Sequence, residues 1–261
     1  MEIYIDEAGR WPLAGPLYSW LILIIDDKNL DKMWFRDSKQ ISEKKREECL
    51  EKIRELRSEK KIFCSYGISD HKEIDKYGMT IAQNLSITRW VWNLLKDFYF
   101  DYVKDWFQKS MCWCDKITQI TIENLFNQKE IRYQDVKNII EKTQNIIWKN
   151  IKLIIDGKNK FWLDEDLWIE VETIIDGDDL VTGISMASIV AKVNRDEFMK
   201  KMYKKYPKYS FEKHKWYGTK LHMEMIEKYW ICPIHRKLFL KNLFPDHKIK
   251  KFKTDFVVFS L

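Results

Sequence analysis

Four carboxylates stand out by position. Asp6 and Glu7 are adjacent and follow the apolar run Ile3-Tyr4-Ile5; Asp156 closes a second apolar run; Asp178 sits just ahead of a strong helical stretch. Strand ends on one edge of a sheet converge even when they are far apart in sequence. Hard divalent cations such as Mg²⁺ take oxygen ligands and keep several waters, so three or four carboxylates make a suitable cup. Two such ions about 4 Å apart activate a water and stabilise the leaving oxygen in phosphodiester hydrolysis. The plainer alternative is that Asp156-Gly157 marks a turn and that strand-end acids are solvated. Composition does not choose between the two.

Phosphate-capable groups accompany these acids: Lys39, Lys192, Arg195, Lys213 and Lys215, with Ser38 and Ser188 as neutral donors. Ser188 and Lys192 stand at i and i+4, hence on one helical face, which meets either a backbone phosphate or plain solvent. Tyr217 lies amid His214, Lys215, Thr219 and Lys220. It is an aromatic beside a basic patch, suited to stacking on a sugar or base.

The elements that must position these groups read as follows. Strands over 2–6 and 17–25 flank a Gly/Pro-rich turn and form an antiparallel pair. Ser42 caps a charged helix to about Arg57, with a thin apolar stripe of Leu50, Ile53 and Leu56. Lys61 to Ile68 is a third strand, and Ile81, Leu85, Ile87, Val91 and Leu94 mark a helix over roughly 80–95. Ile151 to Ile155 is a strand, and Trp168 to Ile175 alternates apolar with acidic residues, as a half-buried strand does. Helices follow from Ile184 to about Tyr203 and from Leu221 to Tyr229. The segment around 97–148 is rich in aromatic, Lys and Asn residues and reads as an inserted helical piece. The order predicts an α/β core over 1–205 and a helical C-terminal part over 206–261.

Bulk composition sets the outer limits. The chain has 261 residues, 45% hydrophobic and 33% charged, which is globular and not disordered. A net charge of +6 permits a polyanionic partner without establishing one. The five cysteines are odd in number and scattered, so free thiols in a reduced, cytoplasmic setting are expected. Cys112 and Cys114 lack the spacing of a zinc site. No leading signal segment and no run of about 18 apolar residues is present, so no membrane association is expected.

Several ordered blocks resemble type 2 ribonuclease H, the ribonuclease HII family. They are IDEAGRWPLAGP (5–16), DSKQISEKKRE (37–47), KEID (72–75), IIDG (154–157), GDDLVTGISMASIVAKVNRD (177–196), KHKWYGTK (213–220) and CPIHRKLF (232–239). The resemblance implies an RNase H-like fold, with a central mixed sheet flanked by helices and a small helical C-terminal subdomain. It implies a monomeric endonuclease, dependent on Mg²⁺ or Mn²⁺ with two metal ions in hydrolysis. Its partners would be RNA–DNA hybrids and duplex DNA carrying single ribonucleotides, cut 5′ to the ribonucleotide to leave 3′-hydroxyl and 5′-phosphate ends. Asp6, Glu7, Asp156 and Asp178 correspond to the metal-binding catalytic acids. Gly9, Arg10 and Trp11 correspond to the loop whose backbone reads the ribose 2′-hydroxyl, the group that separates RNA from DNA. Tyr217 corresponds to the aromatic that stacks on the deoxyribose beyond the junction. Lys39 and Lys192, with Ser38 and Ser188, would steady phosphates.

Departures from the family pattern accompany the match. The interval from Asp156 to Asp178 is somewhat long, so Asp176 and Asp179 compete for the fourth role. The family pattern does not account for 97–148. Trp11, Trp34, Trp216 and Trp230 all stand where the family has glycine. A glycine whose backbone approaches a ligand cannot become the largest side chain without filling the site or needing a forbidden φ. Glycine is scarce, at 8 residues, and tryptophan abundant, at 12, whereas glycine alone usually takes about 7% of a chain. One reading is that a codon meaning glycine in the source organism has been rendered as tryptophan. The other is an inactive homologue, a non-catalytic RNA–DNA hybrid binder blocked by Trp11. Type 3 ribonuclease H is a nearer alternative, disfavoured because the first strand begins at residue 2, with no room for an N-terminal substrate-binding domain, and because Asp stands at 178.

Overall fold

The computed structural model describes residues 2–26, 30, 35, 41–98, 151–158, 160 and 170–243. Trp34, Ser38, Lys39, Cys112, Cys114, Trp168 and nearly all of 97–148 lie outside the described residues.

Five strands form one mixed sheet: β1 (Glu2–Ala8), β2 (Leu17–Ile24), β3 (Ile62–Ser69), β4 (Lys152–Asp156) and β5 (Glu170–Ile174), in the order β3-β2-β1-β4-β5. β1 pairs antiparallel with β2, and β2 antiparallel with β3. β4 runs parallel to both β1 and β5. The strands of the first half therefore form a meander, and the later strands add parallel to its far edge.

The helices are α1 (Glu43–Ser58), α2 (His71–Tyr77), α3 (Met79–Phe98), a single turn α4 (Gly177–Leu180), α5 (Thr182–Lys205), a second single turn α6 (Phe211–His214), α7 (Lys220–Tyr229) and α8 (Lys237–Leu243). Both faces of the sheet are covered, which is why β2 reads as the nearly unbroken apolar run LYSWLILI. Its even residues Tyr18, Trp20 and Ile22 pack into a cluster with Ile53 of α1 and Met186, Ile189 and Val190 of α5. On the other face, Leu17 packs with Ile74 of α2 and Ala82 of α3. Ser19 pairs there with Ser86 of α3 through buried hydroxyls 2.6 Å apart. The contact of β3 with α3 is closer still: a Cβ on Gly67 would lie 1.7 Å from the Ser86 carbonyl oxygen, so only glycine fits.

Local caps explain where the helices start. The Ser42 hydroxyl accepts from the Lys45 amide at 3.2 Å. Asp70 and Glu73 form a reciprocal capping box at the start of α2. Glu73 also takes two hydrogen bonds from Arg89, at 2.8 and 2.6 Å, which tie α2 to α3.

Two differences from the sequence expectation bear on the site. β1 continues past Asp6 through Glu7 to Ala8, because all of 3–8 finds partners on β2. The KEID block, read as a motif without an element, belongs to α2. No described helix is long and apolar enough to cross a membrane.

Candidate active site

Register brings the acids together. The β1–β4 ladder ends at the pair Ile5–Ile155, so the next residues, Asp6 and Asp156, leave neighbouring parallel strands side by side. Paired residues of a ladder share a face. Tyr4 and Ile154, two residues earlier on each strand, pack together against Ile184 of α5, so Asp6 and Asp156 also face α5.

Pleating then separates Asp6 from its neighbour. The Asp6 carboxylate takes a hydrogen bond from Ser188 of α5, whereas Glu7 is hydrogen-bonded by Gln83 of α3. Two adjacent acids are thus held from opposite faces of the sheet. Asp6 also accepts from the Glu7 amide at 2.7 Å. Asp156 accepts from the Gly177 amide at 2.8 Å, which fastens the turn that carries Asp178 to the end of β4. Of the three candidates for the fourth acid, Asp178 is buried while Asp176 and Asp179 are exposed.

Burial of these charges sets their titration. The Asp6 carboxyl is held well above its ordinary value, first by burial, then by Glu7 and Asp156, with Ser188 and the Glu7 amide pulling against them. Glu7 is raised by burial and by Asp156, and the nearby Arg10 guanidinium opposes this. The two groups lie 3.6 Å apart. Like charges gathered out of water at a strand edge raise one another despite these partners. An oxygen-only donor set in that condition fits a hard divalent cation. Among the described residues no three Asp, Glu, His or Cys side chains close on a single point as a finished ligand set. This accords with Asp6 and Glu7 leaning toward opposite faces.

The loop after β1 carries the next three expected residues. Gly9 has φ +98°, and a Cβ there would lie 2.6 Å from the Pro16 carbonyl oxygen and 3.2 Å from Arg195 Nε. Arg10 donates to Gln83 at 2.7 Å, which completes a Glu7–Gln83–Arg10 group. Gln83 has no recognisable signal in the sequence. Trp11 is 74% exposed, with the Arg10 guanidinium 5.7 Å from its ring centre.

Tyr217 is 45% exposed and lies over the Arg195 guanidinium at 5.3 Å. Three buried histidines hold its backbone. The Cys232 amide donates to His235 Nδ1 at 2.9 Å, which leaves the proton on His235 Nε2. That proton faces His222 Nε2 at 3.1 Å, and His222 Nδ1 then donates to the Tyr217 carbonyl at 2.9 Å. His214 Nε2 donates to the Tyr209 carbonyl at 2.7 Å, while its Nδ1 accepts from the Trp216 amide at 3.2 Å. The tautomers follow from these partners: all three rings are neutral, with one donor and one acceptor each.

The remaining cationic and hydroxyl candidates divide. Lys192 is half-buried on α5, and Lys213 is exposed. Arg195 is buried and spends its guanidinium on the Lys215 carbonyl at 2.8 Å, and Lys215 pairs with Asp196 at 2.7 Å. Arg195 is therefore engaged inside the fold, while Lys215 is half-buried in its pair with Asp196. Ser188, read as a phosphate donor, is used on Asp6.

The relay gives a pH prediction. Burial pushes His222 down to about 4 and His235 down to about 3. In the unfolded chain both take up protons near 6.5, so the unfolded state binds more protons between these values. Stability is intact above pH 6.5 and falls as pH drops through that window. The expected loss from pH 7 to pH 5 is roughly 2 kcal/mol for each ring that must stay neutral. Denaturant titrations at the two pH values measure it, and a His222→Gln variant should lose part of the slope.

The family model for ribonuclease HII matches residues 3–104 and 107–242. The ribonuclease HII of Acetivibrio thermocellus is 32% identical over 238 residues, covering 91% of this chain and 69% of that one. That of Endomicrobium trichonymphae is 33% identical over 235 residues, covering 90% of this chain and 83% of that one. Among solved structures, the ribonuclease H2 from Pyrococcus horikoshii OT3 aligns with a TM-score of 0.54 at 20% identity, covering 94% of this chain and 99% of that one, which supports the fold. The match spans the strand edge with its acids, the loop after β1 and the histidine-held segment around Tyr217; the chain belongs to the ribonuclease HII family and is a ribonuclease H endonuclease.

Proposed function

We propose that the chain hydrolyses the RNA strand of RNA–DNA hybrids and also cuts 5′ to single ribonucleotides embedded in duplex DNA, leaving 3′-hydroxyl and 5′-phosphate ends. The observation that carries this reading is the register that sets Asp6 beside Asp156, one residue away from Glu7 and three from Gly9. Acids and loop thus share one strand end.

Asp6, Glu7, Asp156 and Asp178 would hold Mg²⁺ or Mn²⁺. When bound, such ions supply an activated water and stabilise the charge on the leaving oxygen. The rest falls to the chain. Ser188 and the Glu7 amide aim the Asp6 carboxylate, and the Gly177 amide aims that of Asp156. Gln83 and Arg10 hold Glu7. Backbone amides of the Gly9-Arg10-Trp11 loop test the sugar for its 2′-hydroxyl, as donors in fixed positions do with least reorganisation. Tyr217, exposed and held from behind, offers its ring to the neighbouring deoxyribose. Lys192, one helical turn after Ser188 on α5, steadies a phosphate, a role shared with Lys39 and Ser38.

The rival is a hybrid-binding protein that does not cut. It depends on Trp11, which is exposed on the loop beside the acids, obstructing the substrate. The assay uses duplex DNA carrying one ribonucleotide, with Mg²⁺ or Mn²⁺. It is run on the written sequence and on a Trp11→Gly, Trp216→Gly form. Cleavage 5′ to the ribonucleotide is expected, and Asp6→Asn or Asp156→Asn should slow it by about 10³-fold, several kcal/mol of transition-state stabilisation. Binding without cleavage in both forms supports the rival.

A further inference from the structure

Arg236 is fully buried, and its guanidinium is spent on backbone carbonyls of one loop. Nε donates to Gly15 at 2.8 Å, Nη1 to Arg10 at 3.0 Å and Pro12 at 2.9 Å, and Nη2 to Gly9 at 2.6 Å. Its own amide donates to Leu13 at 2.8 Å. The amides of Leu13 and Gly15 in turn donate to Trp216 at 2.8 Å and to Ile234 at 2.9 Å. The Phe239 ring lies 5.4 Å from the guanidinium carbon. One side chain, contributed from a position more than two hundred residues away, therefore fixes the loop between β1 and β2.

The consequence follows from peptide geometry. In a trans peptide the N–H of one residue points opposite to the carbonyl of the residue before it. With the Gly9 and Arg10 carbonyls drawn onto Arg236, the amides of Arg10 and Trp11 are turned to the opposite side. Two successive donors are thus presented together, an arrangement that takes an oxygen acceptor.

We propose that Arg236 is the positioning residue for ribose recognition: by holding the Gly9 and Arg10 carbonyls it aims the Arg10 and Trp11 amides at the 2′-hydroxyl. The proposal rests on the functional reading above. A lysine cannot replace the guanidinium fork, because it has one nitrogen and no fixed plane. Duplexes identical except for one ribonucleotide or deoxyribonucleotide are titrated in Ca²⁺, with the form of the chain that cleaves. The ratio of the two dissociation constants does not depend on the fraction of protein that is folded. Wild type should favour the ribonucleotide. Arg236→Lys and Arg236→Gln should each reduce that preference by about tenfold, the loss of one well-placed hydrogen bond. Affinity for the all-DNA duplex should stay close to wild type. A preference that survives in both variants overturns the clamp while leaving the functional reading intact. No preference in wild type overturns both. Should neither variant fold, amide hydrogen exchange on wild type decides. Protection of the Arg10 and Trp11 amides by the ribonucleotide duplex alone is expected, and equal protection by both duplexes overturns the proposal.

Backbone angles at two tryptophans carry a separate inference. Trp230 ends α7 with φ 68° and ψ −172°, a region occupied essentially by glycine alone. Trp216 has φ 71° and directly follows Lys215 at φ 45°. Its indole is fully buried, with Nε1 lacking a hydrogen-bond partner. Its ring lies 2.7 Å from where a Cβ of Gly15 would stand. We infer that positions 216 and 230 are glycine in the protein its cell makes, encoded by a codon that the cell does not read as tryptophan. Tryptic peptides of the native protein spanning 216–220 and 229–236 should have the masses for glycine. Tryptophan masses, or TGG codons in the gene, overturn the inference.

Discussion

The burial of like charges at the end of β1 is the constraint around which the rest is built. Asp6 and Asp156 are forced side by side by the parallel register, and Glu7 follows at once on the same strand. Carboxylates taken out of water are costly unless paired or hydrogen-bonded. The protein supplies hydrogen bonds to these acids, and the Arg10 guanidinium stands 3.6 Å from Glu7. Burial and mutual repulsion still hold Asp6 and Glu7 above their ordinary values, the condition under which the proposed divalent ion would be favoured. A fold optimised only for stability would have put apolar residues there.

The sheet and its helices distribute this tension. Pleating sends Asp6 to the α5 face and Glu7 to the α3 face, so each acid has its own supporting helix, through Ser188 and Gln83. The loop that leaves β1 cannot hold its own shape, since its carbonyls turn inward. It takes that shape from Arg236, and the segment bearing Arg236 is braced by the neutral histidine relay that also supports Tyr217. The C-terminal residues 206–243 thus act on the site through backbone geometry as well as through any contact with substrate.

Much of this was legible in the sequence. Apolar runs located β1, β2 and β4, period-2 alternation located β5, the apolar stripe located α3, and Asp6, Glu7 and Asp156 were visible as acids closing apolar runs. The family's ordered motifs placed Asp178 and Tyr217. What stayed hidden depends on partners remote in the chain. Arg236 has only carbonyl partners, which no residue type announces. Gln83 gains its role because Gly67 lets α3 lie close on the sheet. Arg195 and Lys215 read as phosphate ligands by charge, yet they are engaged by a carbonyl and by Asp196. The capping box of Asp70 and Glu73 is a helix-start signal carried by the sequence itself, which the KEID resemblance, naming no element, does not convey.

On the proposed function, the acids at the β1–β4 edge hold a divalent cation, and their charges oppose folding until it binds. Thermal unfolding of wild type, Asp6→Asn and Asp156→Asn, with and without Mn²⁺, measures it most directly. Mn²⁺ is expected to raise the Tm of wild type, each neutralised variant to melt at or above metal-free wild type, and neither variant to respond to Mn²⁺. Variants that melt well below wild type and still gain stability from Mn²⁺ would contradict it.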